Sequence, residues 1–227
     1  MRLGSTTTLG RGVTAAASVS TTERLVFIKK VYSLLALSML TAAVGAYLGS
    51  GPLFLLVAPN MMLFFILQIG LIFFASFAAR KPGLNIIALF SFTTVSGLTL
   101  GPLLARVGPT IAAEAFALTA ITFVCLSAYV VYSKKDFSFM SGFLMTGLIV
   151  LVVGGLLNMF FIQSGMMHFV MSGASVLLFS GFILYDTSNI LRYYGTDEHV
   201  SATLALYLDV LNLFIALLSI LGIMSDD

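Results

Sequence analysis

Charge is what this chain has least of. Only 9% of its 227 residues are Asp, Glu, Lys or Arg, against about 25% in an ordinary soluble domain. With 59% hydrophobic residues beside them, so few charges cannot cover a water-facing surface, and the composition predicts an integral membrane protein. Cysteine is nearly absent too. The single Cys125 excludes an intramolecular disulfide framework and a paired-thiol redox motif, and its apolar setting reads as a buried small hydrophobe. The two histidines, His168 and His199, fall in or near loops on opposite sides, which argues against a histidine metal site. No phosphate-binding Gly-Lys loop and no His-Glu-x-x-His is present. The net charge of +2 is too small to argue for nucleic acid. The chain reads as a non-enzyme with no cofactor.

Long apolar runs are what it has instead. Crossing hydrocarbon takes about 20 apolar residues in a helix, and seven segments qualify: Val31 to Leu48, Leu53 to Ala79, Leu84 to Leu104, Ile111 to Tyr132, Phe139 to Ile162, Met167 to Leu191 and Ala202 to Met224. The second is over-long and contains Pro59-Asn60, which predicts a true start near Met61 after a loop. Short connections imply antiparallel neighbours in one compact all-α bundle. Residues 1–28, rich in Ser, Thr, Gly and Ala, read as a flexible tail, or as an organellar transit peptide; residues 29–227 form the transmembrane domain. Ten of the eleven basic residues fall on one side of this bundle and only Arg106 on the other. That bias puts the N-terminus in the cytoplasm and the C-terminus on the opposite face. Gly45 with Gly49, and Gly97 with Gly101, are spaced for close helix packing.

The costly groups are Asp186 and Asp209, each inside an apolar segment. A charge at the bilayer centre costs from about 2.5 to more than 10 kcal/mol, so such residues usually line a pathway or pair with one another. The surroundings repeat, with Asn189 three residues after Asp186 and Asn212 three after Asp209; that spacing predicts each amide on the same helix face as its carboxylate. At 1.5 Å per residue the two acids lie about 7 and 10 Å inside the cytoplasmic ends of their helices. If the helices face each other, the pair should titrate in two separated steps. Arg80, after the second segment, is long enough to reach inward and latch one carboxylate. The same oxygens form a hard cluster suited to a passing calcium ion. The competing reading is that each Asp is satisfied separately and only holds the bundle together. Glu114, near the other face, marks either a second mouth of a pathway or simply the interface. Intramembrane aspartyl proteases also pair two aspartates, and Tyr185-Asp186 resembles theirs, but Asp209 lacks the preceding Gly-x-Gly and the following Pro-Ala-Leu.

The stretches Ser96-Gly97 through Gly101-Pro102, Lys134-Lys135-Asp136-Phe137-Ser138-Phe139, Gly181 through Asp186, Leu206-Tyr207-Leu208-Asp209 and Asn212-Leu213-Phe214 together resemble the Bax inhibitor-1 family, in its bacterial form. That resemblance implies a seven-helix bundle with the last helix central. It further implies a pH-sensitive calcium leak, with Asp186 and Asp209 as sensor and Arg80 as the locking arginine. A second bacterial branch modulates the membrane-anchored AAA protease FtsH. Ala79-Arg80-Lys81-Pro82-Gly83, Leu126-Ser127-Ala128-Tyr129 and Asp186-Thr187-Ser188-Asn189-Ile190 resemble that branch. The expectation is therefore a multi-pass protein of the bacterial inner membrane. It is either a gated calcium pathway or a non-conducting protease modulator.

Overall fold

The structure, a computed structural model, describes residues 20–79 and 81–225. Seven helices in it are long and apolar enough to span a membrane: α1 Thr21–Ser50, α2 Phe54–Ala78, α3 Leu84–Val107, α4 Pro109–Ser133, α5 Ser138–Ile162, α6 Gly165–Arg192 and α7 His199–Met224. No strand occurs among the described residues. All seven expected segments are present, with two boundaries corrected.

α1 begins at Thr21, ten residues before the expected Val31, so residues 21–28 are helical rather than part of a tail. A capping box starts it: the Ser20 hydroxyl accepts from the Glu23 amide at 3.2 Å, and the Glu23 carboxylate accepts from the Ser20 amide at 3.1 Å. α2 is not delayed to Met61. Pro59 and Asn60 are absorbed in a single 3₁₀ turn, Ala58–Asn60, and the Asn60 amide donates to the Leu56 carbonyl at 2.8 Å. Proline has no N–H to contribute, and a tightened turn lets the chain pass it without leaving the helix axis.

The last helix is the centre. Half of the most apolar window of α7 is buried, against none of the corresponding window of α5. α7 packs against α1, α3, α4 and α6, whereas α2 leans on α3, and α5 on α6, from outside. This is the arrangement that the family resemblance implied.

α1 and α3 run parallel and touch backbone to backbone. A Cβ on Gly97 would fall 1.9 Å from the Ala42 carbonyl oxygen, and one on Gly45 would fall 2.2 Å from that of Thr94. The expected small-residue packing is thus real, and it leaves space for hydrogen atoms only. α3 and α4 are joined through Gly108 alone, whose φ of 84° turns the chain in the left-handed region before Pro109 opens α4. Cys125 is exposed on the outer face of α4, not buried as its apolar setting suggested. The reason is that the outer surface of a membrane bundle is as apolar as its core.

Candidate functional site: a buried carboxyl pair beneath the α6–α7 connection

α6 carries Asp186 and α7, packed against it, carries Asp209, close enough for each carboxyl group to act on the charge of the other. Both are almost wholly removed from the surface, at 9% and 5% exposure. The helices are joined by only six residues, so they descend side by side and bring the acids to one depth. The Asn189 amide also interacts with Asp186, as the three-residue spacing predicts. Asn212 does not join the cluster: its amide donates to the Leu208 carbonyl at 2.8 Å on its own helix. One Asp209 carboxyl oxygen, Oδ2, is buried with no hydrogen-bond partner among the described residues. A buried oxygen in that state calls for a proton on its neighbour, a water or a cation.

Arg80 lies outside the described residues. Glu114 is exposed near the start of α4, some 20 residues and therefore about 30 Å along that helix from its other end. It belongs to the opposite end of the bundle from the aspartates. His168 and His199 open α6 and α7 at opposite ends of the bundle.

Three groups frame the pair that sequence reasoning did not single out. The first is Arg24. Its guanidinium donates to the carbonyls of Ile190 at 2.6 Å, Leu191 at 3.1 Å and Tyr194 at 2.5 Å, and it lies 5.1 Å from the Phe27 ring centroid. The Ile190 and Leu191 carbonyls belong to the unsatisfied end of α6, where the helix dipole is negative, so a cation there closes the helix, and the Tyr194 carbonyl ties the connection to it. Read as a topology marker, Arg24 gave no hint of partners more than 160 residues away. The second is Tyr194, in the α6–α7 connection. Burial pushes its phenol well above the ordinary tyrosine range, and the charges of Asp186, Glu198 and Asp209 push it further. It therefore remains a proton donor beside the acids at any physiological pH.

The third is a polar strap outside the apolar layer. The Tyr193 hydroxyl donates to Asp136 Oδ2 and the Ser138 amide to Asp136 Oδ1 at 2.9 Å; together they hold the Asp136 carboxyl below its usual range. The Phe137 amide donates to Ser188 Oγ at 3.1 Å, and Arg192 donates to the Lys134 carbonyl. The α4–α5 connection is thereby tied to the end of α6, two residues beyond Asp186. The signal was in the sequence, as Lys134-Lys135-Asp136 with Tyr193, but nothing in the spacing says that they meet.

On the other side of α7, Tyr207 is fully buried. Its hydroxyl pairs with Ser96, and its ring meets Phe92 edge-on at 5.8 Å. The central helix is thus fixed to α3 two residues before Asp209.

Residues 24–226 match the family model described as inhibitor of apoptosis-promoting Bax1. An uncharacterized protein of Campylobacter jejuni is 44% identical over 207 residues, covering 88% of this chain and 89% of that one. The modulator of FtsH protease YccA of Escherichia coli K12 is 38% identical over 205 residues, covering 88% and 91%. A Golgi anti-apoptotic protein of vaccinia virus strain Lister is 35% identical over 214 residues, covering 92% and 90%. A match along nearly the whole transmembrane bundle, by family and by relatives alike, makes this chain a member of the Bax inhibitor-1 family.

Proposed function

We propose that this multi-pass inner-membrane protein is a pH-responsive leak for calcium, controlled at the Asp186–Asp209 pair. The observation that carries the reading is the burial of two acids, Asp186 and Asp209, on neighbouring helices joined by six residues. Protonation changes the charge of the pair, and with it the force between α6 and α7. The pair and the Asn189 amide offer few oxygens, which suits an ion in transit; a storage site needs six to eight. Arg80 serves as the latch that holds one carboxylate. The basic bias puts the α6–α7 end in the cytoplasm, so the protons sensed are cytoplasmic. In this reading the protein performs no covalent chemistry, and Glu114 marks the far mouth.

The test is calcium flux into liposomes holding the purified protein, followed across pH for the wild type, Asp186→Asn and Asp209→Asn. Each substitution should flatten the pH dependence, because each removes one of the two interacting titrations. Flux that ignores both pH and the substitutions sinks the proposal.

A second reading is favoured by the relative named as an FtsH modulator, 38% identical over nearly the whole bundle. Here the protein conducts nothing and acts by binding a membrane AAA protease. Co-purification with that protease and slower turnover of its membrane substrates support this reading; the absence of both removes it.

A further inference from the structure

Asp186 stands six residues before the end of α6, about 9 Å along the helix, yet it is only 9% exposed. A carboxyl so near the end of its helix stays dry only if something closes the space above it. Ile190 of α6 and Val200 of α7, the core residues next to the connection, are buried in one apolar cluster, and Tyr194 packs against that cluster. The Tyr194 phenol is near enough to the pair for the charges of Asp186 and Asp209 to act on it. Unlike the other two, Tyr194 belongs to no helix. It sits in the connection, residues 193–198, and covers the pair only while that connection is held down.

Two anchors from other elements hold it. Arg24 of α1 donates to the carbonyl of Tyr194 itself and to those of Ile190 and Leu191 shortly before it. Asp136, in the α4–α5 connection, accepts from the Tyr193 hydroxyl, but that bond is exposed and water competes for both partners. The guanidinium is half-buried and lies against the Phe27 ring, so its bonds are the better shielded. Asn189 carries the hold inward. Its carbonyl accepts from the Tyr193 amide at 2.7 Å and from the Tyr194 amide at 3.1 Å, while its side-chain amide interacts with Asp186. Beside the connection, Thr196 borders an open recess against Thr22, Phe27 and Lys30 of α1, which leaves room for the connection to shift.

We infer that the α6–α7 connection is a lid over the carboxyl pair, with the Tyr194 ring as its plug and Arg24 as the positioning residue that keeps it shut. When the guanidinium lets go, the Tyr194 carbonyl and the end of α6 lose their shared anchor, and water or a cation reaches the acids. The first oxygen to gain from the newcomer is Asp209 Oδ2, which in the closed structure has no hydrogen-bond partner among the described residues. The lid deepens the proposal above and rests on its reading of the pair as the controlled site, but it requires no particular conductance.

The experiment measures how fast the two aspartates react with a water-soluble carbodiimide and glycinamide in the full-length protein in detergent micelles, with adducts mapped by mass spectrometry. The exposed Asp136 and Asp197 calibrate the reagent in each sample. In the wild type both buried acids should react about tenfold more slowly than these, or slower still. Tyr194→Ala should raise labelling of Asp186 and Asp209 about fivefold or more, and Tyr194→Phe, which keeps the ring, should restore the protection. Arg24→Ala should give a similar rise with the ring still present, and Arg24→Lys a smaller one. Amide exchange at residues 93–98, in the α1–α3 contact, tells a lifted lid from general loosening and should not change. Labelling that ignores Tyr194→Ala, or that rises only together with exchange at residues 93–98, overturns the inference. If Arg24→Ala does not fold, Tyr194→Ala and Arg24→Lys decide, and protection unchanged in both overturns it. Calcium flux is read separately on the same proteins. Labelling that rises as expected while flux ignores pH and the aspartate substitutions sinks the leak and keeps the lid; pH-dependent flux with labelling indifferent to these variants sinks the lid alone.

Discussion

At the scale of single residues, the arginine that matters most in the described structure is the one that sequence reading set aside. Arg24 spends its whole guanidinium on three carbonyls, two at the end of α6 and one in the connection that follows. A hydrogen bond to a charged donor contributes about 1.5–3 kcal/mol where it is partly buried, so Arg24→Ala should destabilise the protein by about 2 kcal/mol or more. Thermal unfolding in detergent reads that loss. Arg24→Lys should recover only part of it, because an ammonium cannot match three carbonyls with a planar fork. The burial of both aspartates was legible because they stand out against apolar neighbours on helices joined by six residues. The failure of Asn212 to join them was not legible: an asparagine can equally well return its amide to the carbonyl four residues earlier, and helix spacing does not choose between these.

At the scale of elements, spans were easy to read and their ends were not. Hydropathy counts residues that tolerate hydrocarbon, but α1 continues past that layer on the strength of a cap. Ser20-Thr21-Thr22-Glu23 is a readable capping signal, masked here because Lys29 and Lys30 interrupt the apolar run that begins at Leu25. The α1–α3 contact gives a sharp contrast between two glycines. Gly97→Leu drives a side chain into the α1 backbone and should cost more than about 4 kcal/mol, or abolish folding. Gly70→Ala, on α2 with nothing within 4 Å of its new Cβ, should be neutral or stabilising by about 0.5–1 kcal/mol, since alanine is the better helix former. Comparing the two melting curves checks both. The strap between the α4–α5 connection and α6 is pH-dependent in a defined sense. Asp136 has its carboxyl lowered by Tyr193 and by the Ser138 amide, so its contribution is complete above the ordinary carboxylate range near pH 4. It fades as pH falls through the lowered value. Solvent screens this exposed group, so the effect is small. Asp136→Asn should remove that part of the acid sensitivity of the melting temperature and leave the melt near neutral pH little changed.

At the scale of the whole molecule, the basic residues bear on how the bundle sits in its membrane. Arg24, Lys134 and Arg192 gather at the α6–α7 end, where Arg24 donates to carbonyls at the end of α6 and Arg192 to the Lys134 carbonyl just past α4; Arg106 lies in the last turn of α3, at the other end. Single cysteines placed at Lys135 and at the exposed Thr110, with Cys125 replaced by Ala, should be labelled by an impermeant maleimide from opposite sides of intact cells. Lys135 should react only once the cytoplasm is opened; labelling in the reverse order refutes the charge-based topology. Helix number was legible because it rests on the rarity of charge along the spans. The packing order was not, because helices that are apolar on all sides carry no mark of which is innermost. That order has a consequence for how the protein is made. The helix at the centre of the bundle is also the seventh to leave the ribosome, so the first six enter the membrane around a place still empty. Until α7 arrives, Asp186 stands in hydrocarbon without Asp209. The nascent bundle then holds a solitary acid, which is the kind of unfinished surface that insertion factors and quality-control proteases can read.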